Sequence, residues 1–126
     1  MQARFMLFAA VAGFLGVAMG AFGAHGLKNV LSEHYLDIYK TAVSYQMWHA
    51  LLLALIAALP RQPCLTWAGW ALVAGIVLFS GSLYLLAILK IGWLGMITPL
   101  GGLAFLLAWG LLAHVAFQHH RSSIHG

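Results

Sequence analysis

The sequence predicts an all-α integral membrane bundle of four transmembrane helices, with a short interfacial helix between helices 1 and 2. Three observations carry this expectation. Hydrophobic residues make up 63% of the chain and charged residues only 6%, against about 25% charged in an ordinary soluble domain. Six basic and two acidic side chains cannot cover the surface of a soluble fold of 126 residues. Second, the charges at Arg4, Lys28, Glu33, Asp37, Lys40, Arg61, Lys90 and Arg121 leave uncharged stretches over Phe5–Ala24, Thr41–Leu59, Leu65–Leu89 and Met96–Gln118. Each is close to the ~20 apolar residues a helix needs to cross a ~30 Å hydrocarbon core. Third, these runs are continuously apolar rather than alternating, which argues against a β-barrel. The spans are placed at about 5–24, 41–59, 66–89 and 96–117, with 118–126 a polar tail, all in one domain. The basic residues are scattered along the sequence, which argues against nucleic-acid binding.

Helix 1 begins after Arg4 and ends in small residues, as a signal peptide does. Its apolar run is about twice the usual length and three spans follow, so it is read as an uncleaved span. Ala12, Gly16, Gly20 and Ala24 recur every fourth position, a spacing that lets two helix backbones approach closely in lipid. Two uses are open: packing within the bundle, or a homodimer face.

Leu31, Tyr35 and Ile38 fall at helical spacing, and Ala42, Tyr45 and His49 continue the stripe. This predicts an amphipathic helix at the membrane interface that runs into helix 2, capped by Asn29 or Ser32. Tyr35 and Tyr39 suit an aqueous boundary. Helix 2 ends in the turn Pro60-Arg61-Gln62-Pro63, and Trp67 and Trp70 then read as interfacial anchors of helix 3. Helix 4 opens at Thr98-Pro99, where proline is tolerated in a first turn. Gly101 and Gly102 admit a close neighbour. The tail from Gln118 is expected to fray.

Four antiparallel spans define two faces. The terminal face holds both chain ends and the turn after helix 2; the loop face holds the connections after helices 1 and 3. Counted inward from the loop face, His25 lies at the mouth of helix 1. Tyr45, Gln46 and His49 lie about 6 to 12 Å down helix 2, and Ser80, Ser82 and Tyr84 about 7 to 14 Å down helix 3, at 1.5 Å per residue. Thr98 opens helix 4. Most polar residues of the spans thus fall in one half of the membrane, with His114 the main exception. Unsatisfied polar groups in hydrocarbon cost several kcal/mol, so these should face inward and bond to one another. Two readings stand: hydrogen-bonded glue between helices, or a polar pocket with His49 at its base.

Catalysis has little to rest on. The spans hold no carboxylate pair and no serine–histidine–acid set, and Ser80 or Ser82 beside His49 would make only a minimal dyad. His25 and His49 give two ligands where zinc usually takes three or four, so neither a metal nor a cofactor is expected. Haem has no further support. His119, His120 and His125 lie in the tail, and Cys64 is the single cysteine.

Four ordered motifs carry a resemblance. Gly20-Ala21-Phe22-Gly23-Ala24-His25, Tyr45-Gln46 with His49, Phe79-Ser80-Gly81-Ser82-Leu83-Tyr84, and Thr98-Pro99-Leu100-Gly101-Gly102 resemble the signatures of the YgdD/YwdK-like small membrane proteins. That group is a domain-of-unknown-function family of the bacterial inner membrane. The resemblance spans essentially the whole chain and implies four helices with the C-terminus inside. It implies no activity. The Lys and Arg count is tied between the two faces, so the positive-inside rule does not choose. The free α-amino group and tail histidines favour both termini inside. The expected function is a non-enzymatic binding or accessory module. The alternative is a small-solute transporter or channel, which would need an oligomer. The expected partners are the bilayer and either a second copy or another membrane protein.

Overall fold

The computed structural model describes residues 1–126. Helix α1 spans Ala3–His25 and α2 spans Glu33–Ala58. The third span is built from α3 (Pro63–Gly75), a π-helical turn (Ile76–Ser80) and α4 (Gly81–Leu89). A 3₁₀ segment, Gly92–Met96, leads into α5, Thr98–His125. Four helical units are long and apolar enough to cross a membrane: Ala3–His25, Glu33–Ala58, Pro63–Leu89 and Gly92–His125.

Differences from the sequence expectation have local causes. The interfacial helix is not a separate element: a turn after His25 ends at Ser32, whose hydroxyl accepts from the Tyr35 N–H, and α2 then runs unbroken. The amphipathic stripe is therefore the first turns of α2. Tyr39 is not at an aqueous boundary. It is fully buried, and its hydroxyl donates to the Met19 carbonyl of α1. The tail after Gln118 is helical to His125, with Ser122 and Ser123 hydroxyls donating to carbonyls four residues back.

The spans form two hairpins. α1 packs along α2, and α3 packs along α5; α2 and the third span join them at the centre. The core runs through Phe5, Leu53, Ile56, Leu65, Leu72 and Phe105. Helix α1 meets α2 through glycines: a Cβ at Gly16 would strike Met47, one at Gly20 would press on Val43, and one at Gly23 would strike the Tyr39 ring. The strict four-residue row of small residues does not survive, and Ala24 is exposed. A helix turns about 100° per residue, so twelve residues from Ala12 to Ala24 drift about 120°. Eleven residues drift only about 20°, and Gly23 is the buried one. The small-residue face of α1 is thus covered by α2.

The π turn is the other departure. The Gly81 N–H reaches back five residues to the Ile76 carbonyl. Such turns widen a helix and appear often at functional sites. Here it presses the backbone of Phe79 against Gly101 of α5, where any Cβ would collide with the Phe79 N and Cα. Between α4 and the 3₁₀ segment, Lys90 takes a left-handed φ of 59° and ends α4, its N–H bonding to Leu86 O. The same Lys90 sets its ammonium 5.4 Å from the Tyr35 ring centroid, tying the two loop-face connections together.

Candidate functional site

Helix α2 divides the polar residues of the loop half into two groups. On one face Gln46 is buried, at 6% exposure. Its Nε2 donates to Ala12 O of α1 at 2.8 Å, and its Oε1 accepts from the Tyr84 hydroxyl at 2.7 Å. One side chain therefore links α1, α2 and α4. One helical turn earlier, the Ser80 hydroxyl donates to Ala42 O at 2.8 Å, fixing the end of the π turn to α2. Tyr39 and Tyr84 meet edge to face, with ring centroids 5.3 Å apart. Nearer the loops, Ser82 donates to Phe79 O at 3.0 Å and lies 2.6 Å from the Thr98 hydroxyl. A hydroxyl has one proton, so with Ser82 donating to the carbonyl, Thr98 donates to Ser82. That pair joins α4 to the start of α5.

His49 occupies the other face, at 5% exposure. Its Nδ1 lies 2.7 Å from Tyr45 O. A carbonyl only accepts, so Nδ1 carries the ring proton. Nε2 is then an acceptor, and the Trp109 indole N–H donates to it at 3.2 Å. Phe105 stacks on the imidazole at 3.6 Å between centroids, with the planes 9° apart. Tyr45 and Phe79 complete an aromatic wall, 4.5 Å apart.

These rings line a groove between α2 and α5 of about 890 Å³. Trp48 and Leu106, both exposed, and Gly102 also line it. From Pro99 to Trp109 the groove follows α5 for about 15 Å at 1.5 Å per residue, half of a ~30 Å hydrocarbon core. Its lining includes the exposed side chains of Trp48, Leu103 and Leu106, so it lies on the outer surface of the bundle, and His49 and Trp109 line it together. The cleft on the opposite side of the bundle, beside Gln46 and Ser80, holds only about 230 Å³.

The eight residues expected at one polar pocket therefore divide. Gln46, Ser80, Tyr84, Ser82 and Thr98 spend their hydrogen bonds joining helices. His25 is exposed at the end of α1 and is not a groove residue. Tyr45 and His49 line the groove. Neither Ser80 nor Ser82 is hydrogen-bonded to His49, whose two nitrogens are already engaged. No three His, Cys, Asp or Glu side chains gather as metal ligands would. Trp109, Phe105 and Phe79 were hidden in apolar runs. The available signal was the indole N–H of Trp109, which must find an acceptor inside a membrane.

Four apolar spans, tied by hydrogen bonds between side chains and helix carbonyls, with a groove facing the bilayer, define a small multi-span membrane protein. The family of proteins of unknown function DUF423 matches residues 19–102. The chain is 44% identical over 119 residues to the UPF0382 membrane protein YwdK of Bacillus subtilis, covering 91% of this chain and 97% of that one. It is 42% identical to a UPF0382 membrane protein of Staphylococcus aureus and 44% identical to one of Staphylococcus haemolyticus, each over 116 residues, covering 90% of this chain and 95% of the relative. The chain belongs to this uncharacterised family of membrane proteins. No solved structure matches it.

Proposed function

We propose that the protein is a non-enzymatic module of the bacterial inner membrane, with both termini inside, that holds a lipid-soluble molecule in the groove between α2 and α5. The observation that carries this reading is the groove itself: about 15 Å long, mostly apolar in its lining, and holding one donor–acceptor pair. A molecule entering from the side must be soluble in lipid. An elongated chain fits a slot of about 15 Å along the helix axis. The aromatic walls favour flat or unsaturated groups. The Trp109–His49 bond is the longest side-chain to side-chain hydrogen bond of the spans, and Trp109 is half exposed. A ligand carbonyl can accept from the indole, and a ligand hydroxyl can donate to Nε2, by exchange for that bond.

Native mass spectrometry of the full chain in gentle detergent tests the reading. The wild type should carry one discrete lipid-sized adduct. Gly102→Leu should remove it, because a leucine there projects into the groove, while its Cβ meets the Phe79 ring only at 3.9 Å. His49→Ala should weaken it. A bare chain in all three, or the same adduct in all three, contradicts the proposal.

A further inference from the structure

The terminal face carries a charge pattern that the groove does not explain. Arg4, Arg61 and Arg121 all lie there. Both acidic side chains, Glu33 and Asp37, stand at the opposite end, in the first turns of α2. From Asp37 to the end of α2 is about 32 Å at 1.5 Å per residue. The Debye length in physiological salt is about 8 Å, so those carboxylates do not neutralise the arginines.

The arginines also border real clefts. One, of about 640 Å³, lies between the chain start and the turn after α2 and is lined by Gln2, Arg4 and Arg61. A second, of about 660 Å³, lies between Gln62 and the end of α5 and is lined by Arg121 and Ser122. A third joins them through Arg61 and Gln62 and is walled by Trp67 and Trp70. Gln2 lines the first cleft, and its side-chain nitrogen is buried without any hydrogen-bond partner. The Gln2 backbone is held in place by a 2.8 Å bond to Ala57 O. Gln2 does not cap α1, whose first-turn N–H groups point to the same end. An orphan donor, free helix N–H groups and two guanidinium groups all seek an oxygen acceptor bearing negative charge.

We propose that this face binds the phosphodiester headgroup of an anionic phospholipid. The surroundings select a lipid over a soluble phosphate. Trp67 is 69% exposed and Trp70 stacks beneath the Arg4 guanidinium at 5.5 Å, the arrangement of side chains at a headgroup boundary. Below them the exposed residues of the third span, Ala74 and Val77, are apolar, which suits the acyl chains. Arginine matches phosphate oxygens in pairs, and basic pockets at helix ends bind such headgroups. This site lies at the end of the bundle away from the mouth of the α2–α5 groove and does not depend on it.

The test is native mass spectrometry of the full chain with equal phosphatidylglycerol and phosphatidylcholine. At about a few-fold preference per surface arginine, the wild type should favour phosphatidylglycerol by about tenfold or more. The triple variant Arg4→Gln/Arg61→Gln/Arg121→Gln should bring the ratio near unity. The control Lys28→Gln/Lys40→Gln/Lys90→Gln removes as much charge from the loop face and should keep it. Gln2→Ala, which leaves all charges in place, should lower binding several-fold and decides the matter if the arginine triple does not fold. No preference in the wild type, or equal loss in both triples, overturns the proposal. Displacement of the lipid by excess glycerol 3-phosphate overturns it in favour of a soluble phosphate.

Discussion

Gln46 and His49 stand three residues apart on α2, yet they meet different surroundings. Gln46 looks toward α1 and α4, where both ends of its amide are taken by short bonds and glycines bring the backbones together. His49 looks toward α5, where the neighbouring helix stands off and aromatic rings bound an open groove. Both side chains are buried and both are satisfied. What differs is the rest of the interface. Small residues close one side, and large flat ones hold the other open. Polarity in a membrane span therefore does not by itself mark a binding site. The residues packed around the polar group decide whether it joins helices or borders an open groove.

The comparison can be strained at its tightest contact first. Gly101→Leu drives a side chain into the Phe79 backbone at the π turn, and should cost about 3 kcal/mol or more, since backbone cannot yield as a side-chain tip can. A titration with denaturing detergent, followed by circular dichroism, would show a greatly lowered midpoint. Gln46→Leu comes next. It removes two interhelical bonds and leaves the Tyr84 hydroxyl without its acceptor, at a cost of about 1–2 kcal/mol. Ser80→Ala removes one bond to a carbonyl that is already part of α2, and should cost about 0.6 kcal/mol, the average for such bonds in membranes. Smallest of all, Gly102→Ala should leave the midpoint unchanged within error, because its Cβ only touches the Phe79 ring. A large loss there would mean that the groove is closed in the folded protein.

Much of this architecture was legible in the residues. Four uncharged runs give four spans because length and composition alone decide what crosses a bilayer. The polar half was legible too, since depth follows from counting inward from a loop. The division of that half was not. It depends on which way α2 faces each neighbour, and the three-residue step from Gln46 to His49 separates the two by only about 60° on a helical wheel. The small difference in angle becomes a large one only once α1 and α5 are in place. The use of Gly23 in place of Ala24 has a similar origin: a four-residue repeat looks continuous in sequence but drifts around a 3.6-residue helix. Tyr39 shows a third limit. A tyrosine near a span end reads as an interfacial anchor, and only the open space above Gly23 and the Met19 carbonyl draw it inside.

The central claim is that one face of α2 builds the bundle and the other serves a ligand. The most direct test measures adduct occupancy by native mass spectrometry on folded Gln46→Leu and folded His49→Ala, side by side. The account predicts that Gln46→Leu, though less stable, keeps the wild-type adduct, whereas His49→Ala loses most of it. Parallel loss in both variants, or full retention in both, would contradict the division.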